Sequence, residues 1–236
     1  MNRSELEKTY EFAKEGQNLS DSERVKCNLQ FVKIILSDND LNTIDYHYEL
    51  LKKRENKELY YHIRAAFKKR PQIENYLVEK MKIESDPILQ GDILHIMGGI
   101  RSSYAIQFAR EFVTHKNDYQ REVALYVLGW MGDESDISIL NKHLLEESIP
   151  NLRKTACSAH RQIYFRLPNL KNKLLISLKQ GFENEMDDDI ISWIIIMIES
   201  IAVKRLGLRE DKEDPYLIHG DLQKSKEKTI KFLSQI

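Results

Sequence analysis

The stretches QREVALYVLGWMGD, residues 120–133, and PNLRKTACSAHRQI, residues 150–163, are one phrase written twice. Arg121 and Arg153 open the two copies, and small or apolar residues follow at matching offsets. Ile93, Leu94 and Met97 align with Val123, Ala124 and Val127 at an offset of 30 residues. That set aligns with Thr155, Ala156 and Ala159 at 32, and the next copy, Ile190, Ile191 and Ile194, follows at 35. Shorter apolar segments, Tyr104–Val113, Ile137–Leu145 and Leu170–Leu178, lie between the copies. A looser copy, Glu58–Lys69 with Ile73–Met81, stands upstream, with Arg64 where an apolar residue is expected. Two apolar segments per period of this length constrain the fold more than any single residue does. Each helix pair buries its apolar face only by stacking on the next pair, which is the logic of a solenoid.

Local patterns agree with an all-α chain. Apolar spacing predicts helices over 4–15, 21–37, 40–54, 57–70, 72–83, 88–98, 103–115, 119–130, 135–146, 151–166, 169–180, 188–205 and 221–234. Val25, Leu29, Val32 and Leu36 form one expected core stripe, and Ile137, Leu140 and Leu144 another. Ser4 with Glu7 and Ser20 with Glu23 have capping-box spacing. Pro71, Pro87, Pro150, Pro168 and Pro215 fall at expected helix boundaries, and Gly16, Gly132 and Gly181 read as turn or C-cap residues. Alternating strand patterns are absent. The run IISWIIIMI, 190–198, has strand propensity, but the acidic Asp187–Asp189 before it and its helical neighbours favour a helix buried on most sides.

The phrase REVALYVLGWMGD…ISILNKHL resembles the HEAT repeat in its short bacterial form: Arg, apolar and Ala positions, Leu-Gly, an acidic turn, then an apolar helix. NLRKTACSAHRQI keeps the Arg and Ala positions and has His160 and Arg161 in place of Leu-Gly. The match is closest over 88–165 and weaker over 57–87 and 166–205. The resemblance implies a right-handed α-solenoid of paired antiparallel helices. The chain is expected to be one HEAT-like domain, 1–236, with N-terminal helices 1–56, repeats 57–205 and a C-terminal cap 206–236. The resemblance also implies that the second helix of each pair lines a concave surface and that the usual role is a protein-binding scaffold. Ladders beside the core stripe then read Asp92, Glu122, Lys154, Asp189 and Ile96, Tyr126, Ser158, Trp193, with His95, Leu125 and Arg161 near Trp130. Asp92, Ile96, Glu122, Tyr126, Trp130, Lys154, Ser158, Arg161 and Asp189 are the candidate partner-binding residues. Trp193, inside an isoleucine-rich helix, reads as core.

Composition narrows the partner. Lys and Arg number 36 and Asp and Glu 37, so no global basic excess favours nucleic acid. The KKR runs at 52–54 and 68–70 and the acidic residues Glu183–Asp189 suit helix ends. HEAT-like DNA alkylation-repair glycosylases are the alternative class. Trp130, Trp193, Asp133 and Asp189 imitate their channel, while the balanced charge and acidic ladder speak against it. Bilin-lyase-type HEAT proteins are a third class, with no feature here to mark a pigment. Small standalone irregular HEAT-like chains resemble bacterial immunity proteins, which neutralise a toxin domain by occluding it.

Catalytic and metal motifs do not assemble. Cys157 and His160 stand three apart without further ligands, MGGI at 97–100 lacks the context of a phosphate loop, and no GxSxG is present. The expectation is a non-enzymatic protein with no cofactor and no metal. Cys27 and Cys157 sit apart in helical patterns, the opening MNRSELEKTYEFAKEG lacks a signal-peptide core, and nine apolar residues fall short of the roughly 20 that span a bilayer. A cytoplasmic chain with no membrane partner is expected. EDPYLIHGDLQ, 213–223, departs from the repeat and reads as an end cap, with Ile230 and Leu233 packing the final helix.

Overall fold

Six helices begin where a short polar side chain takes up an orphan amide of the first turn. Asp40, Asn56, Asp86, Asn117, Asp187 and Asp221 each accept such a bond, and a cap of this kind contributes about 1 kcal/mol. The computed structural model describes residues 3–70, 72–214 and 217–236. Its helices are α1 Arg3–Glu15, α2 Asp21–Ile35, α3 Leu41–Leu50, α4 Lys57–Phe67, α5 Ile73–Ile83, α6 Pro87–Gly99, α7 Ala105–Phe112, α8 Asp118–Met131, α9 Ile137–Glu146, α10 Pro150–Arg166, α11 Lys171–Asn184, α12 Asp188–Ala202 and α13 Leu222–Leu233. Every helix anticipated from the spacing is present, with ends moved by a few residues. Pro87 and Pro150 occupy first-turn positions and Pro168 opens a 3-10 turn, where a missing N–H costs nothing. Pro71 and Pro215, and Tyr216 of the expected cap, lie outside the described residues. Among the described residues no helix is long and apolar enough to cross a membrane.

The chain forms two compact units that meet in sequence at Tyr104 and Ala105. In the first, α2, α4 and α6 pack in succession, and α1, α3 and α5 each pair with the helix that follows. Pairing therefore begins at Arg3, upstream of the first recognisable sequence copy. Arg64 tolerates an apolar slot because its guanidinium lies over the Tyr60 and Tyr61 rings and 3.5 Å from the Asp92 carboxylate. Arg70, more deeply buried, donates to the Ile35 and Asp38 carbonyls just at and beyond the end of α2.

Two local expectations fail here. The α2 core face is Asn28, Phe31, Val32 and Ile35, whereas Val25 and Leu29 are exposed. Phe31 packs edge-on against Tyr10, and Asn28 can be buried because Gln17 donates to it at 2.6 Å. The helix thus turns toward its larger apolar surface. Ser4 does not cap α1, which already includes it; Glu7 pairs with Arg3 at 2.8 Å instead. The Ser20–Glu23 box is formed.

In the second unit α8, α10 and α12 pack in succession, while α7, α9 and α11 pair with them in turn and α9 also packs on α11. The repeated apolar positions at 123, 124, 127, 155, 156, 159, 190, 191 and 194 are all buried. Gly129 explains the Leu-Gly of the repeat: a Cβ there would lie 3.0 Å from Ala159 Cα, so α8 and α10 approach closely only with hydrogen at this position. Gly181 is not a cap. It lies inside α11, where a Cβ would collide with the Leu144 side chain of α9.

The repeated arginine has the same use in both copies. Arg121 donates to the His115 and Lys116 carbonyls in the turn before its own helix, and its Nε reaches Glu147 in the next turn at 2.9 Å. Arg153 repeats this one pair later, on the Glu147 carbonyl at 2.9 Å and Glu185 at 2.8 Å. Each arginine ties one interhelical turn to its successor.

After α12 the chain forms an antiparallel ribbon, β1 Leu208–Glu210 with β2 Ile218–Gly220, in the register Leu208 opposite Gly220. An all-helical reading has no place for these strands. Each is three residues long, too short for an alternating pattern to register. The Glu199 carboxylate accepts the Gly207 amide at 2.6 Å and the Leu206 and Leu208 amides beside it, and so pins the ribbon to α12. The final helix α13 packs on α12 through Ser225, Thr229 and Leu233, and Ile230, expected inside, is 59% exposed.

Candidate functional site: a groove over three repeat helices

Once Val123, Ala124 and Val127 take the core side of α8, Glu122 and Tyr126 are turned to the flank. The same rotation presents Lys154, Ser158 and Arg161 on α10, and Asp189 and Trp193 on α12. Glu122, Tyr126, Lys154, Ser158, Arg161 and Trp193 line one cavity of about 510 Å³, closed at one side by Glu210 of β1. Tyr126 stacks on Trp130 with ring centroids 6.1 Å apart and planes 18° from parallel. Asp189, at the rim, pairs with Lys154, whose ammonium also lies 5.9 Å from the Trp193 ring.

Trp193 is 7% exposed, and its indole N–H donates to Ser158 Oγ at 2.7 Å. It is a core ring whose polar edge serves the groove. Arg161 Nη1 donates to both carboxylate oxygens of Glu210, at 3.0 and 2.9 Å. Glu122 accepts a long bond of 3.4 Å from the Tyr126 hydroxyl, and burial holds its carboxyl above the usual range.

Two candidates belong elsewhere. Asp92 and Ile96, in the first unit, are fully buried. Asp92 accepts from Tyr60 Oη and is paired with Arg54 and Arg64; it holds α4, the loop before it and α6 together. Ile96 is plain core. Leu125 is also fully buried. The KKR runs are absorbed in the same way: Arg54 serves Asp92, Lys53 lies over the Tyr10 ring, and Arg70 is internal.

Glu210, with Asn151 and Gln162, lines the groove but was missed by sequence reasoning, and Glu210 is the charged one of the three. It lies outside every repeat copy, and only its charge complementarity to Arg161 hints at it. Arg161 and Glu210 also wall a second cavity of about 900 Å³, between the end of α12 and the ribbon, whose lining includes Val203, Lys204, Arg205, Arg209 and His219.

The polar core of this unit contains a serine–histidine contact. His160 Nε2 is 2.7 Å from Ser177 Oγ, and its Nδ1 is 2.8 Å from the Ala156 carbonyl. Ser177 also bonds Asn141 at 2.9 Å. His160 and Ser177 are buried, and desolvation lowers the histidine to about 4. A substrate has no access to this pair, which satisfies polar atoms between α10, α11 and α9. Cys157 is enclosed too, and burial pushes its thiol up.

A family model described as HEAT repeats matches residues 74–161. No curated protein matches the chain. HEAT repeats form helical solenoids that commonly mediate protein–protein interactions and are typically non-enzymatic. The matched span runs from α5 into α10 and contains Arg121, Gly129 and Arg153, so residues 74–161 of this all-α chain are similar to HEAT repeats.

Proposed function

We propose that the chain is a non-enzymatic binding protein that grips a partner protein in the groove over α8, α10 and α12. One observation supports this most: Glu122, Tyr126, Lys154, Ser158 and Arg161, which lie outside the repeated apolar stripe, converge on one cavity, with Trp130 stacked behind Tyr126 and Asp189 at the rim. Partly buried aromatic and arginine side chains beside a concave pocket are the usual anchors of a protein interface. The glycosylase alternative draws no support from its acidic residues. Asp133 is engaged with Ser135 and Arg110, and Asp189 with Lys154, and the net charge of −1 offers a phosphate backbone no general attraction.

Affinity capture from the native host tests the docking surface. One stoichiometric protein is expected with the wild-type chain and is lost with a Tyr126→Ala/Arg161→Ala variant of unchanged circular dichroism. Unchanged capture removes the groove from consideration, and strong DNA binding that weakens steeply with salt favours the alternative. The finer reading is a toxin domain occluded in the groove, inside the cytoplasm; two free thiols, Cys27 and Cys157, fit that reducing compartment. Co-expression with the toxin of a neighbouring gene tests it, and growth without protection sinks it.

A further inference from the structure

With Asp189 at its rim, the groove sets three carboxylates, Glu122, Glu210 and Asp189, against two cations, Lys154 and Arg161. Arg161 is matched by Glu210, and Lys154 is matched by Asp189. Glu122 remains, and among the described residues no lysine, arginine or histidine forms an ion pair with it. Along the ladder Glu122–Lys154–Asp189 the one cation is paired with Asp189. Swinging Lys154 from Asp189 to Glu122 only moves the excess charge to the other end.

Glu122 is also no ordinary surface carboxylate. It is half-buried on α8, with the Tyr126 hydroxyl 3.4 Å away, and burial disfavours its charged form. Aromatic rings flank it: Tyr126 backed by Trp130, with Trp193 across the cavity. A carboxylate short of both water and a counter-ion, beside flat aromatic faces, matches a cation that is planar, weakly hydrated and able to donate in parallel pairs. Guanidinium has all three properties; an ammonium supplies only the charge.

We infer that the groove takes an arginine side chain of the partner protein, with its guanidinium paired to Glu122 and stacked on Tyr126. This rests on the groove being the partner's docking surface. The cavity of about 510 Å³ leaves room for a long side chain beside the Lys154–Asp189 pair.

Small amides test the chemistry without the partner. Argininamide, lysinamide and the neutral isostere citrullinamide are titrated into the full chain, with binding read from the aromatic resonances of Tyr126 and Trp193. Argininamide is expected to give a saturable, localised shift that citrullinamide does not. Glu122→Gln should weaken argininamide about tenfold, the worth of one charge-assisted bond. Lys154→Met should tighten it, because both carboxylates then lack a cation, an effect that a purely structural Glu122 would not produce. Equal binding of argininamide and citrullinamide, or an unaffected Glu122→Gln variant, overturns the inference; lysinamide binding as tightly as argininamide overturns the choice of guanidinium. If partner capture depends on Tyr126 while argininamide does not bind, the arginine inference alone falls. If argininamide binds while capture ignores the groove, the docking reading falls.

Discussion

Replacing Asp92 tests the core tie seen in the structure against the partner contact expected of its ladder position. The side chain is fully buried and receives Tyr60 Oη, Arg54 and Arg64. Removing one partner from a buried ion pair costs about 3–5 kcal/mol, because the remaining charges keep their desolvation penalty. Arg54 is 35% exposed and can rehydrate, which moves the expectation to the lower end. Arg64 at 16% and the Tyr60 hydroxyl cannot follow it fully into water. An Asp92→Ala change should therefore cost about 3 kcal/mol, or roughly two orders of magnitude in amide exchange through local opening. Exchange at α4 and α6 is the appropriate assay, since both tryptophans of the chain, Trp130 and Trp193, lie in the other unit. A loss below about 1 kcal/mol, together with weakened partner capture, refutes the core-tie reasoning.

Two further outcomes follow from the second unit. His160 is lowered to about 4 by burial, against about 6.5 when unfolded, so the unfolded chain binds the proton first as pH falls. Its contribution is intact above pH 6.5 and should decline by about 2 kcal/mol by pH 5, read as a lower urea midpoint by tryptophan fluorescence; a flat profile between pH 7 and 5 contradicts the buried neutral ring. Val203 ends α12 in a left-handed conformation, φ 56° and ψ 46°, while 78% exposed. A β-branched residue there carries strain and little packing, so Val203→Gly should stabilise the unit by about 1 kcal/mol, and a lower thermal midpoint would count against the strain.

The helices and their core faces in the repeats were legible because helical periodicity is a local property. Val123, Ala124 and Val127 declare a buried stripe within one turn, and the thirty-odd-residue period declares that another helix covers it. The repeated arginines were visible as a pattern, but their purpose was not, since it depends on where Glu147 and Glu185 lie in the next turn. Ladder positions are harder still. Glu122 and Asp92 are equivalent by alignment, yet one faces a groove and the other is sealed, because Arg54 and Tyr60 close over Asp92 from 38 and 32 residues upstream. Val25 and Leu29 lost the core to Phe31 through a ring contact with another helix. The β1–β2 ribbon exists through register and three amides gathered by Glu199, neither of which three-residue segments can signal. Sequence alone thus determined the repeat, the helices and the small residues that let them approach. Tertiary structure decided which flanking side chains meet, because burial and ion pairing are settled by neighbours distant in the chain.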